Sequence, residues 1–377
     1  MIKKENTYGV IVIDNVEVSA YLSFYKDKKP EIIFHGTKGI GQYAEEIKFL
    51  NGFFPGMNEV VLLDCNYRSS EVSGVTTYTY SASQIIQHSA ISDISELSFS
   101  EFYINITSAA PWFRVVPFST EFDNSELSKI VFKRYDALEY RLDDGLKLSL
   151  TFGYSHNFSK MPAPSFHYDQ RIFIRVSSSS LFEIDSAHLF CYQFERLISY
   201  LSNKLFKFNF DSFLEEKNRH YVDRFDRGYY HTMATYYDNI IEWSDVKGSF
   251  DRILIKWFDS PLLIKMVNRK LARHTQQRVD YQDAFLNVCA ATELLYGAIS
   301  GSTRRTKLVE KFNYLNKHYP RNKKILTKEE IDAMILTRNY HVHHTNEENN
   351  VLKDLSKATH KLDDYLRCIA LDFLGVV

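Results

Sequence analysis

The sequence predicts an α+β protein, with an antiparallel, β-sandwich-like domain followed by an all-α helical bundle. Three observations predict it. Over roughly the first two hundred positions, apolar and polar residues alternate in short runs, as half-buried antiparallel strands require. From about residue 236 the alternation gives way to apolar positions three and four apart, the helical spacing. A chain of 377 residues is also long for one core, at about 150 residues per domain. The expected division is a strand-rich domain over residues 1–235 and a helical domain over 236–377, with its core at 279–377.

The strand assignments follow in order. Tyr8–Ile13 and Val16–Phe24 flank Asp14-Asn15, a polar two-residue turn, and read as a hairpin. Further strands are expected at Glu31–Phe34, Glu59–Leu63, Val75–Tyr80, Glu101–Thr107, Lys129–Tyr135, Leu146–Phe152 and Arg171–Val176. Alternation is cleanest in Arg171-Ile-Phe-Ile-Arg-Val176. Many short strands without regular intervening helices point to a sandwich or barrel.

After Asp185-Ser186, a cap, the apolar residues Leu189, Phe190, Phe194, Leu197, Ile198, Leu201 and Leu205 share a helical face. Connecting helices are expected around Ile240 to Met266. Four more follow, at about Val279–Ile299, Thr303–His318, Thr327–His343 and Asn349–Phe373, with Pro320 between the second and third and Gly375 after the last. This is the pattern of an up-and-down bundle.

Composition narrows the function classes. A formal charge of −1 excludes a globally basic nucleic-acid binder and leaves room for a local basic patch. Cys65, Cys191, Cys289 and Cys368 are widely spaced, with neither C-x-x-C nor zinc-type pairing, and read as reduced thiols. The apolar run Val10–Ile13 is too short for a signal peptide. No stretch approaches the roughly 18 apolar residues of a membrane span. The expected location is cytoplasmic, without a membrane partner.

Several motifs carry little chemistry. Gly36-Thr-Lys-Gly-Ile-Gly41 fits neither phosphate-loop spacing and reads as a turn. Asn105-Ile-Thr107 and Asn157-Phe-Ser159 are glycosylation acceptors only in a secreted protein. His341, His343 and His344 offer too few ligands for zinc, so neither a metal nor another cofactor is expected. The segment Thr303–Lys324 concentrates Arg304, Arg305, Lys307, Lys311, Lys317, Arg321, Lys323 and Lys324 against one acid, Glu310. Such a surface suits a phosphate backbone, and Arg304, Arg305, Lys307 and Lys311 are the candidate RNA contacts.

The most informative stretch is Arg338-Asn339-Tyr340-His341-Val342-His343. Cleaving an RNA phosphodiester without a metal calls for a fixed cation at the phosphate and an imidazole to move a proton. Arg338-Asn339-x-x-x-His343, closing one helix of a C-terminal bundle, resembles the R-N-x-x-x-H signature of the HEPN family. Ala291-Thr-Glu293-Leu-Leu295 resembles the acid-bearing first helix of such domains, and the strand-rich region with the Trp243 and Trp257-Phe258 helices is similar to the ApeA-type arrangement. The resemblance implies a metal-independent endoribonuclease of prokaryotic anti-phage defence that acts by abortive infection. Its catalytic residues would be Arg338, His343, Asn339 and Glu293. Its substrate would be RNA, with tRNA and mRNA both open, its N-terminal domain would sense or restrain, and a phage protein would be the trigger.

On an ideal helix Arg338 and His343 lie about 140° apart. Either the helix ends near His341, or a homodimer or higher homo-oligomer brings a second Arg/His pair to a shared cleft. The alternative is a non-catalytic HEPN-fold scaffold whose β-domain recognises a protein or glycan.

Overall fold

The computed structural model describes residues 6–13, 15–25, 28–36, 46–73, 75–87, 97–115, 118–123, 126–133, 135–142, 145–159, 165–215, 218–224, 241–273, 280–302, 306–343 and 351–376. The chain forms two compact units, Met1–Tyr192 with Lys207–His231, and Gln193–Phe206 with Thr232–Val377. Antiparallel strands build the first and helices the second, an α+β protein.

In the first unit, β1 (Thr7–Ile13), β2 (Val16–Ser23), β3 (Glu31–His35), β4 (Glu46–Phe54), β5 (Asn58–Ser73) and β6 (Val75–Ser81) close into a ring. The long β5 makes closure possible. Its first half, Asn58–Asn66, pairs with β4, and its second, Asn66–Ser73, pairs with β6. Asp64 has φ 48°, and the register with β6 shifts between Tyr67 and Ser69, so the strand turns a corner as bulged barrel strands do. Residues Val60–Leu63 also pair with β7 (Gln84–Gln87), where the sheet leaves the barrel.

From β7 the sheet runs on through β15 (Asn218–Arg224), β14 (Asn209–Glu215), β8 (Phe99–Asn105), β13 (Ser165–Phe182), β12 (Lys147–Ser159) and β11 (Leu138–Arg141). A short helix, α1 (Ala110–Phe113), follows β8, and β9 (Phe118–Asp123) with β10 (Glu126–Phe132) form a separate hairpin. The antiparallel strand-rich domain is as expected; of the sandwich and the barrel left open by the sequence, the barrel is the one built, and thirteen described strands make one sheet, closed at one end and open at the other. Alternation dictates one buried face per strand, and a barrel interior satisfies it as well as a second sheet does.

Ile11, Leu22, Ile32, Phe34, Leu62 and Ile85 fill the barrel, and the Phe54 ring lies beneath the backbone of Gly9 and Gly52. A Cβ on Gly9 would stand 2.3 Å from the Phe53 carbonyl oxygen and 2.4 Å from the Phe54 ring. Only glycine fits there.

One face of the open sheet is covered by the first half of α2 (Ile184–Ser202). Phe102 meets Phe190 at 5.8 Å, Phe99 stacks on Phe213 at 4.5 Å, and His188 Nε2 lies 2.7 Å from Gln84 Oε1. Ile172, Ile174 and Val176 point into this core, leaving Arg171 and Arg175 on the opposite, exposed face. That is the alternation read from the sequence.

The second unit holds the rest of α2 with α3 (Trp243–Val246), α4 (Phe250–Phe258), α5 (Pro261–Arg273), α6 (Tyr281–Ser300), α7 (Leu308–His318), α8 (Lys328–His343) and α9 (Leu355–Leu374). Trp257 Nε1 donates to the Gln193 carbonyl at 3.2 Å. Arg367 on α9 donates to the carbonyls of Tyr200 and Leu201 at 2.5 and 3.2 Å. Lys270 on α5 and Asp363 on α9 form a buried ion pair at 3.1 Å. Among the described residues no helix is long and apolar enough to cross a membrane.

Candidate active site

The candidate site is built around α8, whose start and continuation are both fixed by short polar contacts. Thr327 Oγ1 accepts from the Glu330 amide at 3.3 Å, and Glu330 Oε2 accepts from the Thr327 amide at 3.0 Å. This reciprocal capping box sets the first turn. Ile331, Met334 and Thr337, three residues apart, form the buried stripe. The Thr337 hydroxyl donates to the Ala333 carbonyl at 2.7 Å and accepts from the Leu352 amide at 3.0 Å, tying the segment before α9 to α8.

Arg338 is half-buried, and its Nη1 donates to Asn339 Oδ1 at 3.2 Å. Those two sequence-predicted residues are thus brought together. His343 is exposed in the last turn and has no hydrogen-bond partner among the described residues. The helix runs regularly through His343, so the option of an end near His341 is not the one taken. On a regular helix the five-residue spacing sets Arg338 and His343 about 140° apart.

Glu293 lies on α6, whose first turn is capped by Asp280 accepting from the amides of Gln282 and Asp283. Its partner is Lys311 on α7, Nζ to Oε2 at 3.2 Å. Lys311 is buried, and so it is a structural cation in an ion pair rather than a free RNA contact. No ion pair links Glu293 to Arg338 among the described residues. Both act electrostatically on Cys289, one turn before Glu293. Burial pushes that thiol up to about 12, Arg338 opposes the rise and Glu293 adds to it. A thiol held protonated in this way is a poor nucleophile.

Lys307 is exposed at the cap position of α7, and Lys317, Arg321, Lys323 and Lys324 are exposed beyond it. Arg304 and Arg305 lie outside the described residues, as does His344. No group of three or more potential metal ligands occurs among the described residues.

Cys289, His341 and the Lys311–Glu293 pair were not singled out from the sequence in these roles. His341 is half-buried, its Nε2 is enclosed without a hydrogen-bond partner among the described residues, and its ring stands edge-on to Tyr340 at 5.2 Å. The four-residue spacing of Cys289 and Glu293 was the available signal, since it places both on one face of α6.

Residues 9–257 match the family ApeA N-terminal domain 1. The chain belongs to that family. The match covers the barrel, the open sheet and the helices through Trp257, and ApeA membership agrees with the anti-phage defence implied by the resemblance. No curated protein matches the chain. Among solved structures it is similar to "MrkH, A novel c-di-GMP dependence transcription regulatory factor", at 9% identity and a TM-score of 0.17 over 46% of this chain and 78% of that one. A likeness so slight carries no argument about fold or ligand.

Proposed function

We propose that this ApeA-family protein is a metal-independent endoribonuclease of anti-phage defence, with a HEPN-type site shared between two copies of the chain. The observation that carries the reading is the arrangement on α8. A half-buried guanidinium is steadied by Asn339, and an exposed histidine lies one and a half turns further along. The regular helix keeps the pair from converging on one phosphate, whereas a two-fold partner presenting its own α8 would supply the missing direction.

In the proposed reaction His343 takes the proton from an RNA 2′-hydroxyl. The 2′-oxygen forms a bond to the adjacent phosphorus and the bond from phosphorus to the 5′-oxygen breaks. Arg338 neutralises charge on the pentacoordinate phosphate through its forked donors. The partner's His343 returns a proton to the departing 5′-oxygen. Products carry 2′,3′-cyclic phosphate and 5′-hydroxyl ends, and DNA is not cut. Glu293 holds Lys311 and so sets the charge behind Arg338, while Lys307 and the exposed cations from Lys317 to Lys324 engage phosphates.

The test is RNA cleavage by purified protein in the presence of a chelator. His343→Ala should lower the rate on the order of 10²–10⁴-fold, the range for general acid–base catalysis. Arg338→Lys should also be impaired, because a point charge lacks the fork. Cleavage that survives both His343→Ala and Arg338→Ala refutes this site, cleavage by a strict monomer refutes the shared cleft, and absence of cleavage returns the bundle to the scaffold reading.

A further inference from the structure

A recess of the first unit is lined by none of the residues of the candidate site. It is a groove of about 790 Å³ on the exposed face of the open sheet. Strand register assembles its floor. Tyr103 on β8 stands opposite Arg175 on β13, which stands opposite Ser149 on β12. One step along, Asn105, Phe173 and Thr151 form a second row. From β15, Arg219 and Tyr221 close one side, and Arg171 lies further along β13.

Several of these side chains are held in place before any ligand arrives. The Arg219 guanidinium lies 4.1 Å from the Tyr103 ring centre, and its Nε donates to Ser212 Oγ at 3.0 Å. The Tyr103 hydroxyl donates to Glu101 at 2.5 Å, and Arg175 pairs with the same nearly buried carboxylate at 2.5 Å. Glu101 raises the affinity of both neighbours for their protons: Arg175 goes up chiefly through that hydrogen bond, and Tyr103 goes up through burial first and Glu101 second.

The charges are unequal. Glu101 offsets Arg175, Asp211 lines the groove near Arg219, and Glu139 adds a further negative charge toward Arg175. Arg171 is exposed and has no acidic partner among the described residues. One end of the groove is therefore a stacked aromatic and guanidinium platform, and the other holds a cation with no acidic partner among the described residues.

We propose that this groove binds a phosphorylated nucleoside, either free or as part of a single strand. The base would stack on Phe173 or on the Tyr103 and Tyr221 rings that flank Arg219. Asn105, Ser149 and Thr151 would offer hydrogen bonds to polar edges, and the phosphate would lie against Arg171. Flat rings and guanidinium planes on a sheet surface stack bases without needing a particular sequence. The volume falls within the roughly 300–1,000 Å³ of small-molecule sites. An acidic peptide would use the arginines and leave the platform idle.

The experiment measures binding to the full-length protein of two fluorescent probes: a methylanthraniloyl-labelled ATP or GTP, and a labelled short oligodeoxythymidylate, which has no 2′-hydroxyl and is not cut. At least one should bind, and affinity should fall as salt rises. Arg171→Glu should weaken binding about tenfold or more, the scale of losing a charge-assisted contact. Thr151→Trp, which fills the groove from an exposed position, should do the same. The groove variants should lose binding to the same extent in an Arg338→Ala background, so failure of the nuclease reading does not touch this one. Binding of the free nucleotide alone identifies a small-molecule site, and binding of the strand identifies a nucleic-acid site. If neither probe binds, if poly-glutamate displaces both, or if both groove variants bind like wild type, the proposal is wrong.

Discussion

Replacing Asp363 by alanine tests what holds the helical unit together. Asp363 is buried on α9 and pairs with Lys270, of which only 4% of the side chain is exposed. Lys270 Nζ also stands 5.7 Å from the Tyr200 ring centre, and the Arg367 guanidinium stands 4.9 Å from that same ring. Removing the carboxylate would leave the Lys270 and Arg367 cations beside one ring, with Lys270 deprived of its Asp363 partner. Breaking a buried pair from one side costs about 3–5 kcal/mol, and the second cation places this case at the upper end. At about 2–4 °C per kcal/mol for a unit of this size, the helical transition should fall by roughly 8–20 °C. Far-UV circular dichroism of the full chain during heating reads it, and the double replacement Lys270→Met/Asp363→Leu should recover most of the loss. A fall of less than ~3 °C in the single variant, or a double variant no better than the single, would refute the argument from a stranded charge.

The remaining predictions are local. Thr327→Ala removes half of the capping box of α8 and should cost about 0.5–2 kcal/mol by chemical denaturation. Gly9→Ala forces a Cβ into the Phe53 carbonyl and the Phe54 ring, and should destabilise the barrel by about 1–3 kcal/mol or prevent its closure, read as lost protection from hydrogen exchange in β1 and β4. Glu330 is held below its ordinary value first by Lys361 and then by the Thr327 amide. An acid lowered by folding contributes stability that is present above its unfolded value and lost as pH falls through the folded one. Lys361→Met should bring Glu330 back toward the ordinary carboxylate range in an NMR titration and shrink the acid-side loss of stability.

Much of this architecture was legible because strands and helices leave different spacings. Arg171–Val176 alternates cleanly and lies inside β13, and the four C-terminal helices fall close to their expected spans. Some strands gave no such signal. β7, Gln-Ile-Ile-Gln, is buried at all four positions, so it has no wet face to mark, and β14 breaks its alternation at a register shift between Phe210 and Ser212. Barrel closure depends on β5 changing partners at Asn66, an event in pairing rather than in composition. At the candidate site, the residue types on α8 were readable from the sequence. The partner of Glu293 was not, because Lys311 sits in a run of eight cations and only packing picks out the buried one.

A sheet that closes on itself at one end removes the terminal border there and keeps the one at its far end. Here that border is β11, four residues long, with Glu139 and Arg141 exposed along it. An incoming strand from a second molecule would have to dehydrate a carboxylate and a guanidinium to gain a ladder of four residues. Short charged borders of this kind keep β-rich proteins from stacking edge to edge. Closure removes the terminal border at the barrel end, and neutral substitutions at Glu139 and Arg141 would strip the charge from the one at the far end.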